Sequence, residues 1–382
     1  MRIQIFAGKL DRSAGSHVYH REIARKLTDR GYDVSVIAFQ SKHELPPSVR
    51  VVQFAFPEYS QMPVIWRCAS IAKYLHCSRA LTRLRTPQYP QVIIGGEHLW
   101  LKSCRRLLPT VPLIYLPHSL TVRDELDSYG LDGVQRLVTL PLYQNIQKWA
   151  LRNASCILRF TRSGCEALDA EYPGVRSAPF EVNSVGIDIP SITAYRDRSG
   201  PVRLLMVGQL IHRKGIDISL KVLSEIRDST WELSIVGDGP ERGVLQELTA
   251  SLNLTDKVQF LGHCDNPARW YAQSDLLLFP SRSESLGLVA LEAMAHGTPC
   301  LAFRPDNNSF RTVTDEFVDH ERTGLLANSV NEFAQMLRSA IEHVEHLKAL
   351  GEEARLEVSR KYSWSAHLDR YESLFDRLLS RH

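Results

Sequence analysis

The chain has 382 residues, 44% apolar and 23% charged, with a formal net charge of only +3. That length exceeds one ordinary domain, and two of roughly 150–200 residues each are expected. The seven cysteines are odd in number and scattered, with no C-x-x-C pair, which suggests neither a disulfide framework nor a zinc site and points to a reducing compartment. Charge is unevenly spread. Residues 1–190 carry 24 Lys/Arg against 16 Asp/Glu, and residues 191–382 carry 22 against 27. The basic half suits phosphates, an anionic acceptor or an anionic membrane surface, although chance surface variation explains it equally well. Met1-Arg2 leads into a short strand-like run without the apolar stretch of a secretory signal, and nothing approaches 18 consecutive apolar residues. Cytoplasm is the expectation.

In chain order, Arg2–Ala7 reads as a strand, Ser16–Arg30 as a helix and Asp33–Phe39 as a second strand. Arg50–Phe54, Val92–Gly95, Leu113–Leu116 and Cys156–Thr161 continue the rhythm. Strands alternating with helical stretches imply βαβ units and a parallel sheet. Pro63–Arg85 is a basic helical segment with interleaved apolar residues. A solvated helix face accounts for it, and peripheral contact with the inner face of a membrane is the sharper alternative. After the Pro/Ser/Asp/Arg-rich stretch Asp188–Pro201 the pattern begins again. Strands at Arg203–Val207, Glu232–Val236, Val258–Leu261, Leu276–Phe279 and Cys300–Phe303 alternate with helices at Ile216–Arg227, Glu241–Leu252, Pro267–Ser274 and Leu288–His296. Helical runs at Glu332–Lys361 and Ser363–Leu379 close the chain. The fold class is thus α/β, two Rossmann-like doubly wound domains facing an interdomain cleft, with ligands expected at the strands' carboxyl ends.

Three segments carry the chemistry. Glu284-Ser285-Leu286-Gly287-Leu288 through Glu292 places two carboxylates eight residues apart around a small-residue turn and a helix start, after the strand ending at Phe279-Pro280. Helix N-terminal N–H groups favour an anion, and Gly287 leaves room for a phosphate near the backbone. Glu292 on an otherwise apolar helix needs partners, because a lone buried carboxylate costs several kcal/mol; vicinal ribose hydroxyls would supply them. Gly208-Gln209-Leu210-Ile211-His212-Arg213-Lys214-Gly215 follows a strand and makes a diphosphate grip, with a plain basic loop as the alternative. Val236-Gly237-Asp238-Gly239-Pro240 is a turn against which a flat base can lie, or an ordinary strand-to-helix turn.

The order and spacing of these segments resemble glycosyltransferase family 4, a family of GT-B fold that retains anomeric configuration and uses nucleotide sugars. The similarity is tight over residues 202–300 and looser over 1–190. It returns at Tyr362-Ser363-Trp364, Tyr371 and Leu374, like the family's final helix. The resemblance implies an acceptor-binding domain at 1–190, with helix 363–382 packing back on it, and a nucleotide-sugar domain at 201–362. It assigns Glu284 to the transferred sugar and Glu292 to the ribose. The diphosphate or sugar falls to N–H groups around Ser285, Leu286, Gly287 and Leu288, with Lys214 neutralising the leaving diphosphate. Gly208, Gln209 and Gly237 join the donor site. So does Gly15, the part of Ser13-Ala14-Gly15-Ser16 that matches a glycine-rich family loop. His118, after the strand ending at Leu116, takes the family histidine's place near the sugar. There are departures. Gln209 stands where the family has Arg, leaving Arg213 to substitute; Val185 replaces the Asn before Gly186-Ile187-Asp188; and Arg304-Pro305-Asp306-Asn307-Asn308 replaces a glycine-rich acidic segment.

The implied reaction transfers a hexose from a UDP- or GDP-sugar to a hydroxyl acceptor: a glycan, a lipid-linked saccharide or a small metabolite, anionic or lipid-linked. No D-x-D and no His/Cys cluster occurs, so no metal or other cofactor is expected, and Lys214, Arg213 and helix dipoles stabilise the leaving phosphate. No carboxylate suits a double displacement, which favours front-face attack. No nucleic-acid partner is expected. An epimerase or sugar phosphorylase of the same fold, or a catalytically degenerate binding subunit, are the competing readings.

Overall fold

The computed structural model describes residues 1–7, 15–38, 45–53, 90–96, 98–117, 133–191, 200–306 and 308–380. The basic segment Pro63–Arg85 and His118 lie outside them. The chain divides into two compact units, Met1–Val185 with Leu368–His382, and Gly186–His367.

The first unit holds strands β1 (Arg2–Phe6), β2 (Asp33–Ala38), β3 (Arg50–Gln53), β4 (Val92–Gly95), β5 (Leu113–Tyr115), β6 (Cys156–Arg159) and β7 (Phe180–Val182). All pair in parallel, in the order β3-β2-β1-β4-β5-β6-β7. Helices α1 (Gly15–Asp29), α2 (His98–Leu107), α3 (Gly133–Asn153) and α4 (Arg162–Glu171) supply the crossovers. Buried runs such as Val92–Gly95 and Cys156–Arg159 are what a parallel sheet covered on both faces requires. Thr161 ends the β6 segment as a cap: its Oγ1 accepts the Gly164 N–H at 3.1 Å.

The second unit holds β8 (Val202–Val207), β9 (Trp231–Val236), β10 (Val258–Gly262), β11 (Leu276–Phe279), β12 (Cys300–Phe303) and β13 (Gly324–Ala327), again all parallel, in the order β10-β9-β8-β11-β12-β13. Its helices are α5 (Ile216–Glu225), α6 (Arg242–Ser251), α7 (Ala268–Gln273), α8 (Leu288–Ala295), α9 (Val330–Glu342) and α10 (Val344–Tyr362). Leu276–Phe279, Cys300–Phe303 and Gly324–Ala327 are buried throughout. The expected single run Glu332–Lys361 is two helices that meet at His343. Ser329 starts the first by accepting the Glu332 N–H, and the Glu332 carboxylate accepts the Asn328 N–H at 2.6 Å.

Helix α11 (Trp364–Leu379) spans the division. Within the first unit its residues bond back to α1 and β7. Tyr371 and Tyr19 share a buried hydroxyl–hydroxyl hydrogen bond of 3.0 Å, Arg30 lies 2.6 Å from Asp369 and 3.0 Å from Glu372, and Arg377 pairs with Glu181 at 2.9 Å. Within the second unit the indole of Trp364 fills the place a side chain at Gly186 would need, 2.4 Å from an ideal Cβ, and the Ile187 N–H donates to the Tyr362 carbonyl at 2.6 Å. The Gly186-Ile187 segment and the Tyr362-Ser363-Trp364 motif are thus one packing unit.

Candidate active site

In the second sheet the strand order reverses between β8 and β11, and ligands of doubly wound sheets bind at such a switch point. The two loops singled out by sequence follow these two strands. After β8, Gly208 takes a φ of +144°, and a short 3-10 turn, His212–Lys214, leads through Gly215 (φ +68°) into α5. After β11, residues 280–287 lead through Gly287 (φ +76°) into α8.

The loops meet at an ion pair. Lys214 Nζ lies 2.6 Å from Glu284 Oε2, with side chains 16% and 12% exposed. Arg213 Nη1 donates to the Ser283 carbonyl at 2.9 Å and stands 4.0 Å from the same carboxylate oxygen. Burial alone would raise the Glu284 carboxyl. The charge and hydrogen bond of Lys214, the charge of Arg213 and a bond from the Gly287 N–H outweigh it and hold the group below the usual carboxylate range. Lys214 also lies 5.7 Å from the Phe279 ring centroid. A small cavity is lined by Val207, Gly208, Gln209, Lys214, Phe279 and Pro280 among others.

Glu292 sits on the second turn of α8, where the buried Tyr271 of α7 donates its phenol to Oε2 at 2.8 Å. Here burial dominates. Despite the Tyr271 bond, and with Asp188 adding repulsion, the Glu292 carboxyl is raised above its ordinary range. The two carboxylates of the motif are therefore pushed apart: Glu284 is held charged by cations and Glu292 is poised to take up a proton more readily.

The structure gives the glycines a packing reason of their own, beside the room for a phosphate inferred above at Gly287. A Cβ at Gly287 would meet the Phe317 ring at 2.4 Å, one at Gly215 the Pro280 carbonyl oxygen at 2.1 Å, and one at Gly237 the Gly208 carbonyl oxygen at 1.9 Å. The Cβ direction at each of these positions is filled by the protein's own side chains or backbone. The Gly208 N–H donates to the Val236 carbonyl, Leu210 N–H to Asp238 and Gly237 N–H to Gly262, so the turns after β8, β9 and β10 interlock. Of the glycines assigned to the donor by sequence, Gly208 has its nearest would-be Cβ neighbour at 3.6 Å, and that neighbour is Lys214.

The structure thus brings Gly208, Arg213, Lys214, Glu284 and Gly287 together. Gln209 is exposed, Ser285, Leu286 and Leu288 are half-buried, and Gly237 packs on Gly208. In the first unit Gly15 is the first residue of α1. The carbonyl of Pro117, which precedes His118, accepts from Nη1 of the buried Arg159 at 2.7 Å. Sequence reasoning missed Tyr271 and Arg282. Tyr271 had no motif to mark it; an arginine inside the carboxylate loop was a visible but unused signal. The Asp306 carboxylate that replaces the family's glycine-rich segment is taken up by its own loop, accepting from the Asn308 and Phe310 N–H groups at 2.9 and 2.8 Å. Among the described residues no group of His, Cys, Asp and Glu could hold a metal ion, and no helix is long and apolar enough to cross a membrane.

Two Rossmann-like units with this topology make a GT-B fold. The same architecture is found in sucrose-phosphate synthase from Thermosynechococcus elongatus (TM-score 0.77, 21% identity, all of both chains). It is also found in Anabaena HepE in complex with UDP-glucose (TM-score 0.69, 19% identity, 98% of this chain and 99% of that one). Residues 13–190 match the model of Glycosyltransferase Family 4 and residues 192–357 that of Glycosyl transferases group 1. The chain belongs to glycosyltransferase family 4. It is 35% identical over 157 residues to N-acetyl-alpha-D-glucosaminyl L-malate synthase of Bacillus anthracis, a match covering 41% of this chain and about two fifths (39%) of that protein's length. It is 27% identical over 387 residues to D-inositol 3-phosphate glycosyltransferase of Kribbella flavida, covering 92% of this chain and 88% of that protein.

Proposed function

We propose that the protein transfers a hexosyl group from a nucleoside diphosphate sugar to a hydroxyl acceptor, with retention and without a divalent metal ion. The observation that carries this reading is the Lys214–Glu284 pair, 2.6 Å apart, on the two loops that flank the switch point of the second sheet. The Lys214 ammonium is matched to the Glu284 carboxylate; with donor bound it turns to the diphosphate, and Glu284 is left to accept hydroxyls of the transferred sugar. Breaking the anomeric bond builds negative charge on the leaving phosphate, and a cation fixed beforehand stabilises that charge without reorganising. Arg213, beside Lys214, supplies the second positive charge that Gln209 lacks. Glu292, with one oxygen held by Tyr271, accepts from the ribose. The leaving phosphate takes the acceptor's proton in a front-face attack.

A uridine donor is supported by the UDP-glucose complex of HepE. An anionic acceptor is supported by the excess of Lys/Arg in residues 1–190 and by the malate and inositol 3-phosphate in the names of the relatives. Seven scattered cysteines without a C-x-x-C pair support a reducing, cytoplasmic setting.

A thermal-shift screen against UDP, GDP and their sugars identifies the donor, because stabilisation follows ligand concentration over dissociation constant. Assays with that donor alone, with donor plus malate or inositol 3-phosphate, and with excess chelator then test the reaction. Anomer-retaining product in the presence of chelator is expected. Loss of activity on chelation would overturn the metal-free mechanism, and tight donor binding without turnover would favour a degenerate binding subunit.

A further inference from the structure

Arg282 stands outside the motifs assigned to the donor, yet it joins the two loops that carry them. Its backbone N–H donates to the Arg213 carbonyl at 2.8 Å, and its own carbonyl accepts from the Arg311 N–H at 2.8 Å. Its guanidinium forks onto Asp217, Nη1 to Oδ1 and Nη2 to Oδ2, both at 2.8 Å, and Nη1 also donates to the His212 carbonyl at 2.8 Å. His212 and Asp217 flank Lys214 on either side: one opens the 3-10 turn and the other lies in the first turn of α5. One side chain from the carboxylate loop therefore pins both ends of the lysine turn. With side chains only 25% and 24% exposed, the pair is shielded from water on most sides. A planar fork fixes orientation as well as distance, which a single ammonium cannot do.

We propose that Arg282 is a positioning residue: by gripping Asp217 and the His212 carbonyl it sets where Lys214 stands relative to Glu284, and hence where positive charge meets the departing diphosphate. This rests on the donor role given above to Lys214 and Glu284. A displacement of about 1 Å in such a group costs up to about a hundredfold in rate. A cation that acts on charge developing in the transition state affects kcat more than donor KM.

The experiment compares wild type, Arg282→Lys, Asp217→Asn and Lys221→Ala in the full chain. UDP release from UDP-glucose and UDP-N-acetylglucosamine, and GDP release from GDP-mannose, are followed across pH, alongside thermal unfolding. Lys221→Ala is the control: it removes a mostly exposed ammonium 3.7 Å from Asp217 and leaves the fork intact. Arg282→Lys and Asp217→Asn are expected to lower kcat by about ten- to a hundredfold with donor KM changed less than about twofold. They should also move the acid limb of kcat/KM to higher pH, because a Glu284 less closely held by Lys214 protonates more readily; Lys221→Ala should do neither. If Arg282→Lys is less stable but keeps wild-type kcat and acid limb, the fork is structural only and the proposal is overturned. If wild type neither binds nor turns over any of the three donors, the donor reading falls and the proposal with it.

Discussion

Replacing Lys214 by Met tests the central pair directly. Unit charges 2.6 Å apart attract by about 6 kcal/mol at an effective dielectric of about 20, most of it offset by their desolvation. Removing one partner is costlier than removing both, since it strands a carboxylate that is 12% exposed. Lys214→Met should therefore destabilise the protein by about 3 kcal/mol at pH 7, at the low end for a buried pair. The midpoint of the second unit should fall by roughly 6–12 °C. Glu284→Gln in the same background keeps an acceptor for the Gly287 N–H and removes the stranded charge, so the double variant should recover to within about 1 kcal/mol of wild type. The sign of the pH dependence follows. In wild type the folded-state pKa of Glu284 is depressed, so its stabilising effect is present above the unfolded value and is lost as pH falls through the folded one. Without Lys214, burial dominates and the carboxyl is raised, so the gap between variant and wild type narrows on acidification. Denaturant titrations at several pH values measure this, and kcat should fall by about a hundred- to a thousandfold. Single and double variants that are additive, or a single variant within about 0.5 kcal/mol of wild type, would refute the reasoning.

Tyr271→Phe removes the donor to Glu292 and should raise that carboxyl further. UDP affinity measured by calorimetry should weaken by about 1–2 kcal/mol, and the pH below which it declines should move upward. Gly287→Ala forces a Cβ to 2.4 Å from the Phe317 ring at a φ of +76° and should destabilise by about 2 kcal/mol, with part restored by Phe317→Leu. Gly237→Ala meets backbone instead of a side chain, the Gly208 carbonyl oxygen at 1.9 Å, so no single side-chain change should rescue it; the loss, read by thermal unfolding, should exceed that of Gly287→Ala.

Strands were legible wherever a buried parallel strand makes a short apolar run between turns: Leu276–Phe279 and Cys300–Phe303 fall where the pattern put them. β13 escaped because Gly324–Ala327 is four residues without β-branched character, and α3 because its apolar residues are spread around the helix and Pro141 interrupts it. The break at His343 has no Pro or Gly to announce it. The loops of the site were legible by position, since both follow strands that later prove adjacent. The partners were not. Periodicity says nothing of which side chain on α7 reaches Glu292, or that an arginine two residues before Glu284 reaches back across the sheet to Asp217. The glycines carry a second reading that the sequence did not disclose. Sparing backbone for a ligand and sparing backbone for a neighbouring loop leave the same letter in the sequence, and packing such as that of Phe317 at Gly287 is visible only in the structure.

The charged groups of the two loops are largely matched within the site itself. Arg282 is forked onto Asp217 and Lys214 is matched by Glu284, while Arg213, with 46% of its side chain exposed, lies 4.0 Å from that same carboxylate. On the proposed reading, a diphosphate that reaches this site exchanges one anionic partner of Lys214 for another, so the ammonium need not be stripped of water anew. On the same reading Glu284, which accepts from the Gly287 N–H at the start of α8, would turn its other lone pairs to sugar hydroxyls. The fork of Arg282 onto Asp217 involves neither Lys214 nor Glu284 and so would stay made through that exchange. A rigid clamp beside a replaceable ion pair lets the loops hold their geometry before, during and after turnover, which is the preorganisation that stabilisation of a leaving phosphate demands.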